Sequence, residues 1–335
     1  MEIKDILEKL TSANGVSGDE GEAARTAADI LSAYMPVKIE KSGNVVGFLK
    51  GEGPIIMLEA HLDQIGLVVT NIDKSGFIRF TKCGGADIRV LPAANVTVIG
   101  KDKKEIDGIV ISTPPHLSKD EDRKKFKSLD ELAIDVGLSC EEASKIISPG
   151  DRVVYKKSFG SLMNGRLYGT SFDDRAGVAS VLRAVDLIKD KKLGCSLCVL
   201  FATLEETTGG GAAVGAFSEQ PDESISVDVS FADSPGVPEH KTGKLGGGVM
   251  IGIAPTLDSE ISNKLIEIAR AKNIKYQTEV MGGHTSTNAD KISVSGKGVK
   301  TGLLSVPLRN MHSAVEVLEI DDIEAVAQLM AEYVL

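Results

Sequence analysis

The 335-residue sequence predicts an α/β fold interrupted by a small β-barrel-like domain. Helical and strand patterns alternate at both ends of the chain, whereas residues 67–163 switch to short β-branched runs separated by Gly, Asp and Lys turns. A third observation locates the chemistry. Acids and histidines recur where apolar runs end, and strand carboxyl ends are where open α/β sheets place their ligands.

Each element has its own signal. Ile3, Ile6, Leu7 and Leu10 recur at helical spacing. Ser17 followed by Glu20 is a capping-box signature for a second helix over "SGDEGEAARTAADILSAYM". "VKIEKSGNVVGFLKG" reads as two strands joined at Ser42-Gly43-Asn44, and "PIIMLEAHLDQIGLVVTNI" as strand, turn, strand. In the inserted region, "GLVVTNIDKSGFIRFTKCGG", "ANVTVIGKDKKEIDGIVIST" and "GDRVVYKKSF" supply short strands. There "PPHLSKDEDRKKFKS" reads as an exposed loop, and "SLDELAIDVG" with "SCEEASKIIS" as short helical pieces. After about Gly165 the alternation resumes. "DDRAGVASVLRAVDLIKDKK" is a helix, "GCSLCVLFATL" and "SISVDVSFA" are strands, and "SEISNKLIEIARAKN" and "DDIEAVAQLMAEYVL" are helices. The expected division is 1–66 plus 164–335 for the α/β domain and 67–163 for the insertion.

Composition excludes several classes. A net charge of −10 argues against nucleic acid or an anionic membrane as partner. No Trp and 4% aromatics leave little surface for stacking bases or sugars. No apolar run is long enough for a membrane span, and "MEIKDILEKLTSANG" lacks a signal-peptide core, so the expected location is the cytoplasm. The four cysteines are too few and scattered for a disulfide framework. Cys195 and Cys198 form a C-x-x-C on a strand, where residues three apart face opposite sides, so they read as small buried hydrophobes.

Five segments put chemistry-bearing residues at element ends: His61 and Asp63, Asp173 and Asp174, Glu205 and Glu206, Asp228 and Asp233, and His312. Singly, Asp173 is an N-cap, His312 a surface histidine and Asp228 a loop acid. Together they form a His, Asp, Glu, Asp, His set that suits two divalent metals of the zinc or cobalt kind. Such a pair needs a bridging carboxylate and about two further ligands per metal. That leaves one acid of the Glu205-Glu206 pair as a general base, and Asp63 placed to orient the His61 ring. Neighbours on a regular strand face opposite sides, so both glutamates reach one site only if the strand breaks beside them.

Taken in order, "EAHLDQIGLVV", "SFDDRAGV", "LEETTGGGAA", "SVDVS" with "SPGVPEH", and "LSVPLRNMHSAVEV" resemble the motifs of the tetrahedral (TET) aminopeptidases, metallopeptidase family 42 of clan MH. Some members of that family have been labelled glutamyl aminopeptidases or "cellulase M". The resemblance covers nearly the whole chain and implies a phosphorylase/hydrolase-like mixed sheet sandwiched by helices. It implies two divalent ions per subunit, zinc foremost with cobalt or manganese as alternatives. Their ligands would be His61, Asp173 as bridge, Glu206, Asp228 and His312, with Glu205 as general base and Asp63 as its supporting acid. It further implies short peptides as substrates, and an inserted domain that mediates oligomerisation into a tetrahedral dodecamer.

Two segments depart from the family pattern. "EETTGGGAA" lacks the basic residue relatives carry after the acid pair, and its glycines resemble a phosphate loop without the Lys-Ser/Thr that would complete one. "GGHTSTNAD" stands where relatives carry Gly-Gly-Thr-Asp-Ala, so Thr287 and Asn288 take that pocket-lining place, with His284 beside them. His116 and His240 are expected to face solvent. The rival readings are a metal-dependent deacylase or glycosidase, and a non-catalytic scaffold.

Overall fold

The computed structural model describes residues 2–117 and 125–335. Helix α1 (Ile3–Ser12) buries Ile3, Ile6, Leu7 and Leu10, the predicted stripe, and α2 (Gly21–Leu31) follows. The Ser17 capping box does not form. Glu20 turns away from the helix to accept amide hydrogens from Gly18 and Leu204, and the helix starts at Gly21 without a side-chain cap. Strands β1 (Val37–Ile39), β2 (Val45–Leu49) and β3 (Ile55–His61) then enter the main sheet.

The chain next leaves that sheet for a closed barrel of six antiparallel strands. These are β4 (Gly66–Ile72), β5 (Ile78–Cys83), β6 (Asn95–Ile99), β7 (Glu105–Ser112), β8 (Leu132–Asp135) and β9 (Arg152–Tyr155), with α3 (Cys140–Ile146) between the last two. Alternating Leu67, Val69, Ile78, Phe80, Val96, Val98 and Val153 fill the interior. "LAID" is strand β8, not helix, because Leu132 and Ile134 complete that interior, pairing with Ser112 and Val110 of β7. The charged loop expected over 114–128 falls partly outside the described residues, at 118–124; of the rest, Pro114, His116 and Leu117 are exposed.

The chain returns through β10 (Phe159–Ser161) and β11 (Arg166–Gly169), which join β17 (Glu316–Glu319) in a small three-stranded sheet. Between β11 and β17 run α4 (Phe172–Ile188), β12 (Ser196–Ala202), α5 (Gly210–Glu219), β13 (Glu223–Phe231), β14 (Val249–Ile253), α6 (Ser259–Ala271), β15 (Tyr276–Val280), α7 (Ala289–Ile292) and β16 (Lys300–Leu308). Helix α8 (Ile320–Val334) closes the chain. The main sheet has the order β1-β2-β12-β3-β13-β16-β14-β15, and its central strands β12, β3, β13 and β16 are parallel. Helices α1, α4, α6 and α8 cover one face through a core that includes Phe172, Val181, Phe201, Val227 and Leu304. The shorter α5 and α7 cover part of the other, over Met57, Cys198 and Leu200. Cys195 and Cys198 lie in these two opposite cores, as the strand reading requires. No helix among the described residues is long and apolar enough to cross a membrane.

Candidate active site

Four parallel strands pointing one way gather their carboxyl ends at one edge of the sheet, where ligand sites of such folds lie. His61 ends β3 and pairs in register with Ala202, the last residue of β12. Asp228 lies near the end of β13 beside Ser305 of β16, and His312 follows β16 in a left-handed conformation. Asp173 and Asp174 open α4. Beyond Ala202 the chain breaks at Leu204, whose φ is 63°, and the amides of Thr208 and Gly209 close a turn onto the Leu204 carbonyl at 2.9 and 2.8 Å. The strand break inferred from the paired glutamates is thus present, and it precedes the threonine-glycine cluster.

Asp173 is the centre of the arrangement. Its Oδ1 lies 3.1 Å from His61 Nε2, and its Oδ2 lies 3.3 Å from His312 Nε2. Glu206 Oε2 is 3.4 Å from His312 Nε2, and Asp228 Oδ1 is 3.8 Å from His61 Nε2. Two groups therefore share a boundary: His61, Asp174 and Asp228 on one side, and Asp173, Glu206 and His312 on the other. Within each, a donor atom from every residue falls within 4.8 Å of the others.

The backbone beneath these side chains is held by buried carboxylates. Asp63 accepts the amide hydrogens of Glu205 at 2.9 Å and Glu206 at 3.0 Å. Glu316 accepts from Phe172 at 2.7 Å, Asp173 at 3.2 Å and His312 at 3.2 Å. Asp174 accepts from Gly177 at 2.9 Å and His61 at 3.3 Å. Both Asp174 oxygens are thereby engaged with main chain, whereas those of Asp173 face the two imidazoles. The expected Asp63–His61 link is also modified. His61 Nδ1 lies 3.0 Å from the Asp63 carbonyl and 3.5 Å from its carboxylate, because that carboxylate is committed to the glutamate amides.

The electrostatics follow from crowding acids out of water. Burial, reinforced by the charge of Asp173, pushes Glu206 well above the usual carboxyl range; burial likewise raises Glu205, Asp228 and Glu316. Burial would raise Asp173 too, but hydrogen bonds to His312 and His61 outweigh it and hold Asp173 below its ordinary value. For His61, burial would favour the neutral ring, yet the Asp173 and Asp63 partners keep it well above its usual range. Asp173 raises His312 directly. Glu206 Oε1 is buried and has no hydrogen-bond partner. An orphaned carboxylate oxygen amid like charges and two imidazoles is a donor set that fits divalent cations.

The site opens into a cleft of about 820 Å³. Asp173, Glu205, Glu206, Asp228 and His312 line one part; Ser230, Met250, Glu279, Met281, His284 and Thr287 line another, whereas His61 and Asp63 are buried and do not line it. His284 borders the cleft with an exposed side chain. Asn288 does not line the cleft. It is buried and donates to Glu59 Oε1 at 2.7 Å, tying the loop to β3. His240, expected in solvent, is exposed but stands at the cleft mouth.

Sequence reasoning missed Glu316, whose only signal is its place four residues after His312 in the last motif. It also missed Gly84 and Gly85, where β5 of the barrel ends against the site. A Cβ at Gly85 would collide with the His312 ring, and one at Gly84 would press on Glu206.

This fold and donor set fit a metal-dependent hydrolase. Residues 43–329 match the family model described as M42 glutamyl aminopeptidase. The lysyl aminopeptidase of Pyrococcus furiosus is 30% identical over 332 residues, covering 97% of this chain and 94% of that protein. Among solved structures, an aminopeptidase from the archaeon Desulfurococcus kamchatkensis is 32% identical with a TM-score of 0.93, covering 99% and 94% of the two chains. The Pyrococcus horikoshii TET1 peptidase, described as able to assemble into a tetrahedron or a large octahedral shell, is 32% identical with a TM-score of 0.88 and 99% coverage of both. The chain belongs to the M42 glutamyl aminopeptidase family, whose members are metal-dependent, and it is a peptide-bond hydrolase of the aminopeptidase type.

Proposed function

We propose that the protein removes N-terminal residues from short peptides with two divalent cations per chain, held by His61, Asp173, Glu206, Asp228 and His312. The observation that carries this reading is Asp173 standing between two imidazoles, with Glu206 and Asp228 beside it and one Glu206 oxygen unpartnered. Zinc, cobalt and manganese all accept this donor set, with zinc the first choice. When bound, such ions supply Lewis acidity toward water and the scissile carbonyl. The chain's own contribution is proton handling and position. Glu205 borders the cleft, and burial raises its carboxyl toward the operating pH, which suits a group that takes a proton from water and returns it to the leaving amine. Asp63 sets where Glu205 stands by gripping its amide.

Cytoplasmic location and assembly into a tetrahedral dodecamer through the 67–163 domain complete the proposal. The P. horikoshii relative's assembly supports the second. The test is chelation followed by readdition of each metal. Hydrolysis of aminoacyl nitroanilides and unblocked peptides should vanish and return, while N-acetylated peptides and cellulose stay intact. Cellulose cleavage, or peptide cleavage indifferent to chelation, would defeat the reading.

A further inference from the structure

Away from the candidate metal ligands, the cleft borders the sheet at β13, β14 and β15. Side chains alternate along a strand, so Asp228 and Ser230 on β13 share a face, and register places Ser305 and Met250 on it too. Glu279, near the end of β15, reaches across this face. Its Oε1 accepts a hydrogen bond from the Ser230 hydroxyl, and its Oε2 accepts one from Ser305 at 3.0 Å. Both carboxylate oxygens are therefore fixed in a part-buried position, and the hydroxyls leave further lone pairs free.

What Glu279 lacks is a counter-charge. Among the described residues no Lys, Arg or His lies within ion-pair distance of it, although His240 and Lys241 border the same cleft. Met250, Met281 and Phe231 supply apolar surface to the same cleft, among polar residues that include Thr242 and Thr278. A fixed carboxylate in a slot lined in part by apolar side chains complements a cation on an aliphatic stem. We infer that this slot receives the side chain of the substrate's N-terminal residue and that Glu279 selects Lys or Arg there. The inference rests on the aminopeptidase reading above. An acidic side chain would meet like charge, and a neutral one would leave the carboxylate desolvated without a partner.

The test compares the metal-loaded wild type with Glu279→Gln, which preserves shape and can keep both serine contacts. The readout is the ratio of kcat/KM for lysyl over methionyl nitroanilide, with arginyl and glutamyl substrates as companions. The wild type should favour lysyl and arginyl and cleave glutamyl worst, and Glu279→Gln should lower the lysyl-to-methionyl ratio by about 10–100-fold. Glu279→Lys should turn the preference toward glutamyl. An unchanged ratio, or an equal fall for every substrate as expected if Glu279 bound the peptide's α-ammonium, overturns the inference. Calorimetric binding of lysinamide against methioninamide keeps the two readings apart. If nothing is turned over but lysinamide binds better and loses that advantage in Glu279→Gln, the aminopeptidase reading fails and the cation slot stands. Equal binding of both amides rejects the slot.

Discussion

Replacing Asp63 by Asn changes one atom and tests how the acid pair is held. Both Asp63 oxygens now accept amide hydrogens, from Glu205 at 2.9 Å and Glu206 at 3.0 Å, in a fully buried position. Asparagine keeps one acceptor and turns an NH2 group toward the other amide. One hydrogen bond to a charged acceptor, worth about 1.5–3 kcal/mol, is lost, and a buried donor is left unsatisfied at about 1–3 kcal/mol more. The cost is roughly 2.5–6 kcal/mol at the turn that carries both glutamates. Relaxation of that turn by about 1 Å is enough to lower turnover on the order of 100-fold. The assay is kcat/KM on an aminoacyl nitroanilide together with the melting temperature of the metal-loaded protein. Asp63→Asn should lose both activity and several degrees of stability. Turnover within threefold of wild type would refute the reasoning, even with a lowered melting temperature, because the clasp would then be structural only.

Two further perturbations probe the same architecture. Gly85→Ala places a methyl group against the His312 ring, so metal content and activity should both fall while the barrel stays folded; far-UV circular dichroism and metal analysis check this, and a fully active variant contradicts the packing. The metal-free protein should also lose stability as pH rises. Burial raises Glu206 and Asp228 above ordinary carboxyl values and Glu59 from 4.5 to about 7, so the folded state keeps protons that the unfolded chain releases above about pH 4.5. Stability from these groups is present below that pH and lost as pH climbs through the folded values. His61 and His312, also raised, act in the same sense above about pH 6.5, whereas the lowered Asp173 opposes only at more acid pH. Chelated protein should therefore melt lower at pH 8 than at pH 5.5, with the difference reduced by added zinc; a higher melting point at pH 8 without metal contradicts the sign.

Much of the centre was legible because strand ends announce themselves. An apolar run that stops at His61, Asp228 or the Glu205-Glu206 pair leaves a polar group where burial is costly, and such groups need a common partner. What supports those side chains was not legible. Asp63 and Glu316 act through backbone amides of distant segments, and the motif around each says nothing about which amide it will meet. Ser17 and Glu20 matched a local capping pattern, but Glu20 found a better use against the Leu204 amide, a contact spanning the chain. "GGGAAVGAF" went unread as helix α5 because glycine is a poor helix former. Its backbone packs so tightly on Thr203 that a Cβ at Gly211 would strike the Thr203 carbonyl and amide, which explains the glycine there. Asn288 carried a pocket signal by analogy of position, while its side chain serves the interior.

Metal counting and turnover on one variant bear most directly on the proposed chemistry. Glu205→Gln removes the proposed base while leaving the five candidate ligands and the amide held by Asp63 untouched. The expected result is two metal ions per chain, as in wild type, with kcat lowered by about 100-fold or more. Undiminished kcat with both ions bound would show that Glu205 does not move the proton.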